Sequence, residues 1–266
     1  MRLHYDAAMG LIRRDWLLFT SYRTQALSMV ASIFTSLALF YFVSRLVTIS
    51  QFETPDHYFA FVVVGMVILQ VLQSTFGVAA TLRGELLTGT FERLVLSPFG
   101  AVASMVSMML FPFITSVISG VVLLVMASLI YGVHMTWNTA ALAIPIALLG
   151  TGAFASFGMA MTAVTLVFKR AVGGIGLLLT LITLTSGIYF PIALLPGWMQ
   201  WISEVQPFTP AVELLRHVLV GTPMEGSEWT AVAKVIGFAS ISLPIAFAAL
   251  KIALHISQRR GTIIEY

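Results

Sequence analysis

The chain has 266 residues, of which 59% are hydrophobic and only 9% charged, with a mean hydropathy of +0.97. A soluble domain carries about 25% charged residues, so a water-soluble globule could not clothe its surface with this composition. The absence of cysteine excludes disulfide scaffolds, thiolate metal sites and cysteine nucleophiles, and a formal charge of +3 is too small to point to nucleic acid.

The first 20 residues carry Asp6, Arg13, Arg14 and Asp15 among apolar ones, unlike the basic start and apolar core of a cleavable leader. Tyr5, Met9, Ile12, Trp16 and Phe19 recur at spacings of three and four. That pattern predicts an amphipathic helix within 1–24, lying in the membrane interface. The alternative is a plain juxtamembrane extension of the first span.

Six charge-poor stretches then predict six spanning helices: Gln25–Val43, Tyr58–Leu82, Ala101–Tyr131, Thr139–Phe168, Gly173–Phe190 and Ala231–Leu254. Each reaches the roughly 17 residues that cross a hydrocarbon core about 30 Å thick. Pro112 falls inside the third, where packed neighbours can tolerate it. Placing the N-terminus in the cytoplasm puts 11 of the 14 Lys and Arg on that side, leaving Arg45, Arg216 and Lys234 outside. The positive-inside rule therefore predicts two cytoplasmic termini.

Between spans two and three, Arg83–Pro98 mixes charges with apolar ridges at Leu87, Phe91, Leu94 and Val95, and stops sharply at Ser97-Pro98. It reads either as a segment that inserts into a partner's groove or as a solvated connector. Residues 191–222 are the least regular part. Pro191, Pro196, Pro207 and Pro210 divide this region into pieces such as Gly197–Val205 and Pro210–Val220, about 15 Å each as helix and too short to cross. Pro210 suits a helix start and Gly221 a helix stop. The segment is read as a re-entrant hairpin dipping in from the outer face, the alternative being a lid anchored on the interface by Trp198 and Trp201.

Candidates for chemistry are few. Glu213, Arg216 and His217 share one helical face at i, i+3 and i+4, and read either as a self-neutralising local pair or as an outer gate. The remaining histidines have no ligand spacing, so no metal is expected. All eleven acids fall outside the spans, which leaves no proton or sodium relay. The three lysines follow Phe, Ala and Leu, so the Gly-Lys-Ser/Thr ending of a phosphate-binding loop is absent. If ATP drives this protein, another chain binds it.

At this point the sequence resembles the ABC-2-type permeases, the membrane subunits of a class of ATP-driven exporters. Glu85-x-x-x-Gly89-Thr90-x-Glu92-x-Leu94-x-x-Ser97-Pro98 is similar to that family's loop between spans two and three, which docks on the ATPase as a coupling helix. Gly187-Ile188-Tyr189-Phe190-Pro191 with Leu195-Pro196-Gly197-Trp198-Met199 resembles the stretch leading into the family's outer re-entrant helices. Gln206-Pro207-Phe208-Thr209-Pro210-Ala211 with Leu215-Arg216 looks like a signature there, and Arg259–Tyr266 like a common ending. The resemblance covers essentially the whole chain and treats 1–266 as one transmembrane domain.

It implies a half-channel without a catalytic site or cofactor of its own. Two permease copies, usually identical, would meet two P-loop ATPase subunits that hold ATP and Mg, in a prokaryotic plasma membrane. Glu85, Thr90, Glu92 and Arg93, with Arg13 and Arg14 nearby, would dock on the ATPase. The translocation path or outer gate would involve Phe34, Tyr41, Tyr189, Phe190 and Phe208 together with Glu213, Arg216 and His217. Each aromatic has packing between helices as its competing reading. Implied cargo is amphipathic or lipid-linked, whether glycan, lipid or drug. The alternatives are a membrane-embedded lipid-processing enzyme, for which the Glu213/Arg216/His217 trio is the sole candidate, and a passive channel or scaffold.

Overall fold

The structure, a computed structural model, describes residues 2–47, 52, 54–91, 101–168, 172–224 and 226–259. Among these, every regular element is helical: α1 (Arg2–Ser21), α2 (Arg23–Leu46), α3 (Pro55–Leu87), α4 (Ala101–Ser107), α5 (Leu110–Tyr131), α6 (Trp137–Ala140), α7 (Ala143–Phe168), α8 (Val172–Thr185), a 3-10 turn (Ile192–Leu194), α9 (Gly197–Val205), α10 (Phe208–Val220) and α11 (Glu228–Arg259). The six-span expectation meets five helices long and apolar enough to cross a membrane: α2, α3, the α4–α5 run, the α6–α7 run and α11. Local chemistry sets their ends. The Thr54 side chain accepts from the His57 amide, Pro55 occupies the first turn, and Asp56 lies near the positive end of the α3 dipole.

The fifth expected span, Gly173–Phe190, is shorter than its apolar length suggests. Helix α8 has 14 residues, about 21 Å at 1.5 Å each, and stops at Thr185. Gly187 follows in the left-handed region at φ 72°, a conformation that side-chain-bearing residues rarely adopt, and Pro191 supplies no amide to continue a helix. The third span breaks at Met108–Met109 rather than at Pro112, which sits in the first turn of α5. Within residues 191–222, α9 begins and ends where the prolines place it. Helix α10 starts two residues before Pro210 and ends at Gly221, whose φ of 73° makes the expected left-handed stop.

Helix α3 is the axis of the bundle. Of its most apolar window 72% is buried, against 11% for α2, whose outer face is left for lipid or a partner. Helices α5 and α7 pack along α3, and α11 packs along α7. Helix α1 departs from α2 at Tyr22 and meets α5 through an edge contact of Phe19 with Phe111, 6.2 Å between ring centres. Ile12 and Phe19 on the expected stripe are half-buried, whereas Trp16 is exposed; the Tyr5 side chain lies outside the described part. Three apolar clusters follow α3 along its length. Phe59, Val63 and Leu37 form the first, Phe76, Phe154 and Phe208 the second, and Leu82, Leu86 and Phe91 the third.

Gly65, in α3, is where backbone meets backbone. A Cβ there would stand 2.2 Å from the carbonyl oxygen of Ile188, so only glycine lets the segment after α8 press against the helix. Gly65→Ala should therefore cost about 1–3 kcal/mol through forced displacement. Gly77→Ala on the same helix, where a Cβ meets nothing within 4 Å, should be neutral or mildly stabilising. Thermal unfolding of both variants in detergent checks this; equal melting temperatures would contradict the close approach.

Candidate functional site at the two ends of the bundle

The irregular segment 191–222 is built around Arg216. Helix α10 packs against α3, α7 and α11, with Phe208, Val212, Leu215 and Leu219 in the core, so Arg216 is carried inward and left only 5% exposed. Its Nη2 donates to the carbonyls of Gly187 (2.8 Å) and Ile188 (3.0 Å), and its Nε to the carbonyl of Phe61 in α3 (3.2 Å). The guanidinium also lies over the Phe61 ring, 3.3 Å from its centre. Charge-assisted donation to three carbonyls satisfies backbone that the break after α8 would otherwise leave bare in an apolar interior.

Other side chains seal the same region. The last carbonyls of α10 are taken up across the chain: Val218 accepts from the Thr136 (2.6 Å) and Thr139 (2.5 Å) hydroxyls, and Leu219 from the Thr136 amide (2.9 Å). The Ser203 hydroxyl of α9 donates to the Thr185 carbonyl at the end of α8. Gln200 Nε2 donates to the carbonyl of Leu195 (2.7 Å), and Gln206 Nε2 to the Thr209 hydroxyl (3.3 Å). Helix α9 itself is peripheral, with Trp198 and Trp201 both exposed.

Glu213 and Arg216 border one cavity and attract each other by charge, and His217 takes other partners. Arg216 points inward to carbonyls, while His217 holds the Thr222 carbonyl through Nδ1 (2.9 Å) and faces Glu228 of α11 through Nε2 (2.9 Å). Glu213 lines two adjoining cavities of about 360 and 430 Å3 at this end. No group of three His, Asp or Glu able to hold a metal occurs among the described residues.

The aromatic candidates separate by environment. Phe34 is exposed on α2. Tyr41 packs with Phe59 and Tyr131, and its hydroxyl accepts from Arg45 (3.2 Å), which also pairs with Asp56 (2.7 Å). Tyr189 stacks on Phe40 with ring centres 5.0 Å apart, and Phe190 is half-buried. Phe208 is fully buried between Phe154 and Phe157.

At the opposite end, the expected coupling loop 83–98 begins later than its charges imply, because Arg83–Leu87 are still the last turn of α3. The chain turns at Thr88 and Gly89, the latter at φ 69°. Glu85, Thr90 and Arg14 come together here. The Arg14 guanidinium lies 2.8 Å from Asp15 and 3.4 Å from Glu85, and the other Glu85 oxygen accepts from the Thr90 hydroxyl. Phe91 is completely buried with Leu82, Leu86, Met105, Leu166 and Leu250, so α3, α4, α7 and α11 all meet beneath the loop. Arg13 is exposed, and Glu92 and Arg93 lie outside the described residues.

The residues that spacing alone overlooked are Gly65, Gly187, Thr136 and Thr139. Gly65 carried a signal: a lone glycine amid Val62–Met66 marks close approach of another backbone.

A bundle of long apolar helices, with an irregular segment packed into one end and a polar junction at the other, defines a multi-pass membrane protein. Comparison with known families makes this specific: residues 7–220 match the ABC-2 type transporter family, and the chain belongs to it. Members of that family are membrane permeases that typically lack an ATP site of their own. The chain is also similar to Nodulation protein J of Rhizobium meliloti (strain 1021), 28% identical over 91 residues. That alignment spans 34% of this chain and 35% of the relative.

Removing the guanidinium strands carbonyls at Gly187, Ile188 and Phe61. Arg216→Leu should cost about 2–4 kcal/mol, and Arg216→Lys should recover only part of it, because one ammonium cannot reproduce the planar fork. His217→Ala, on the more exposed side of α10, should cost under about 1 kcal/mol. Melting temperatures in one detergent rank the three variants; parity between Arg216→Leu and His217→Ala would refute the assignment.

Proposed function

We propose that the chain is the permease half of an exporter that moves an amphipathic or lipid-linked cargo (glycan, lipid or drug) out of the cytoplasm or the inner leaflet. Two copies, read as identical, pair with two P-loop ATPase subunits that hold ATP and Mg. The assembly sits in a prokaryotic plasma membrane with both termini of the chain cytoplasmic.

The observation that carries this reading is the Arg14–Glu85–Thr90 junction above buried Phe91. A segment that receives force from a partner must be tied to the helices it moves. Here Arg14 of α1 pairs with Glu85 in the last turn of α3, Thr90 of the following turn donates to the same carboxylate, and Phe91 is buried in the apolar cluster that α3, α4, α7 and α11 share. The carboxylate of Glu85 is thereby spent inside the chain, so we assign it to holding α1 against the loop. Exposed Arg13, with Glu92 and Arg93 further along, is assigned to the ATPase surface. The scarcity of charge supports the same conclusion: with all eleven acids outside the middle of the long helices, the chain has no ion relay to energise transport. On the outer side, Phe34, Tyr189 and Phe190 are assigned to the cargo path, and Glu213 to the gate.

Isolation in a mild detergent should bring down a P-loop ATPase with the chain. Glu85→Gln should leave that complex intact but reduce transport per ATP hydrolysed by about three- to tenfold, the effect of weakening one charge-assisted bond. Charge reversal at Glu92 with Arg93 should uncouple hydrolysis from transport altogether. Wild-type coupling in both variants would sink this reading. Turnover of a lipid substrate with no ATPase present would favour the enzyme alternative.

A further inference from the structure

The second half of α11 has two unlike faces. Ala246, Leu250, Ala253 and Leu254 are buried in the apolar cluster that also holds Leu82, Leu86 and Phe91. The opposite face is open, and its chemistry changes once along its length. Ile241, Ile245 and Ile252 are exposed there, and then Lys251, His255 and Arg259, also exposed, follow one another at i, i+4 and i+8. That spacing sets the three basic side chains in one row on the helix, about 12 Å from first to last. No acidic residue occurs in α11 after Glu228.

The row has no countercharge of its own. Among the described residues, no carboxylate lies within ion-pair distance of Lys251, His255 or Arg259. The acids described at this end of the bundle are Asp15 and Glu85, and Arg14 takes both. Lys251 instead meets a ring of its own helix, with Nζ 4.7 Å from the centre of Phe247. That contact turns the ammonium back over the apolar run, so its stem lies along the helix as lysine stems do at the edge of a hydrocarbon layer. From Ile241 to Ile252 the run is about 16 Å long as helix, and one leaflet of a core about 30 Å thick is about 15 Å deep. An acyl chain laid along it places its headgroup against the basic row. A phosphodiester with net negative charge supplies the missing partner.

We propose that this face of α11 holds one anionic phospholipid, its phosphodiester on Lys251 and Arg259 and an acyl chain along Ile241–Ile252. An acidic protein surface would match the row but not the isoleucines continuous with it. The lipid in question stays with the chain, and the site stands whatever the chain transports.

The test uses the full chain purified in detergent, with palmitoyl-oleoyl phosphatidylglycerol or the matching phosphatidylcholine added and the first retained lipid counted by native mass spectrometry. The wild type should favour phosphatidylglycerol by about 25-fold, from about fivefold for each of the two fixed charges. Lys251→Gln or Arg259→Gln alone should lose about fivefold of that preference, and the two together should bring the lipids to parity. The charge-keeping pair Lys251→Arg/Arg259→Lys should retain most of it, and unchanged melting temperatures separate lost charge from lost fold. Ile245→Ser/Ile252→Ser should weaken both lipids by about tenfold and leave the preference between them intact. Arg23→Gln removes an exposed charge outside the row, where α1 meets α2, and should change nothing. Equal retention of the two lipids by the wild type, an unchanged preference in the double Gln variant, or an equal loss in Arg23→Gln overturns the proposal. So does wild-type retention in the double Ser variant. A double Gln variant that keeps its lipid preference but no longer brings down an ATPase would assign the row to a protein partner instead.

Discussion

The architecture turns on one buried cation and one missing side chain. Backbone that leaves a helix inside an apolar bundle has carbonyls that no solvent reaches. After α8 the chain makes such an exit, and Arg216 answers it by donating to the carbonyls of Gly187 and Ile188 while holding Phe61 of α3. Gly65 makes the contact possible, since any larger residue would push Ile188 away from α3. Consequences spread outward from there. Helix α8 can stay short, Tyr189 can reach Phe40, and α10 can lie inside the bundle rather than on its surface.

The same helix that receives Arg216 also forms the floor of the opposite end. Phe61 and Gly65 lie in the first third of α3; Leu82, Glu85 and Leu86 lie in its last turns. Between them, α3 is buried on most sides by α5, α7 and α10. Under the proposed function, a long helix held by carbonyl bonds at one end and by an ion pair at the other is the element that would pass events at the loop after α3 to residues 191–222.

Much of this was legible in the residues. Apolar length found five long helices, prolines placed both ends of α9, and Gly221 placed the end of α10. Apolar length failed for Gly173–Phe190, because hydropathy registers neither a left-handed glycine nor a cation waiting across the bundle. Arg216 shows the limit of spacing most clearly. The i, i+3 relation to Glu213 names neighbours on one helix, whereas the groups that Arg216 actually binds lie 28 to 155 residues away in sequence. Glu85 was legible as a member of the coupling region but not as a residue engaged by Arg14 and Thr90, which depends on how α1 folds back.

Hydrogen–deuterium exchange of the chain in nanodiscs tests the central claim most directly. The account predicts that amides of residues 186–190 are as protected as the core of α3 in the wild type. In Arg216→Gln they should open to the level of exposed α9, while α3 beyond Gly65 stays protected. Fast exchange at 186–190 in the wild type, or unchanged protection there in Arg216→Gln, would contradict it.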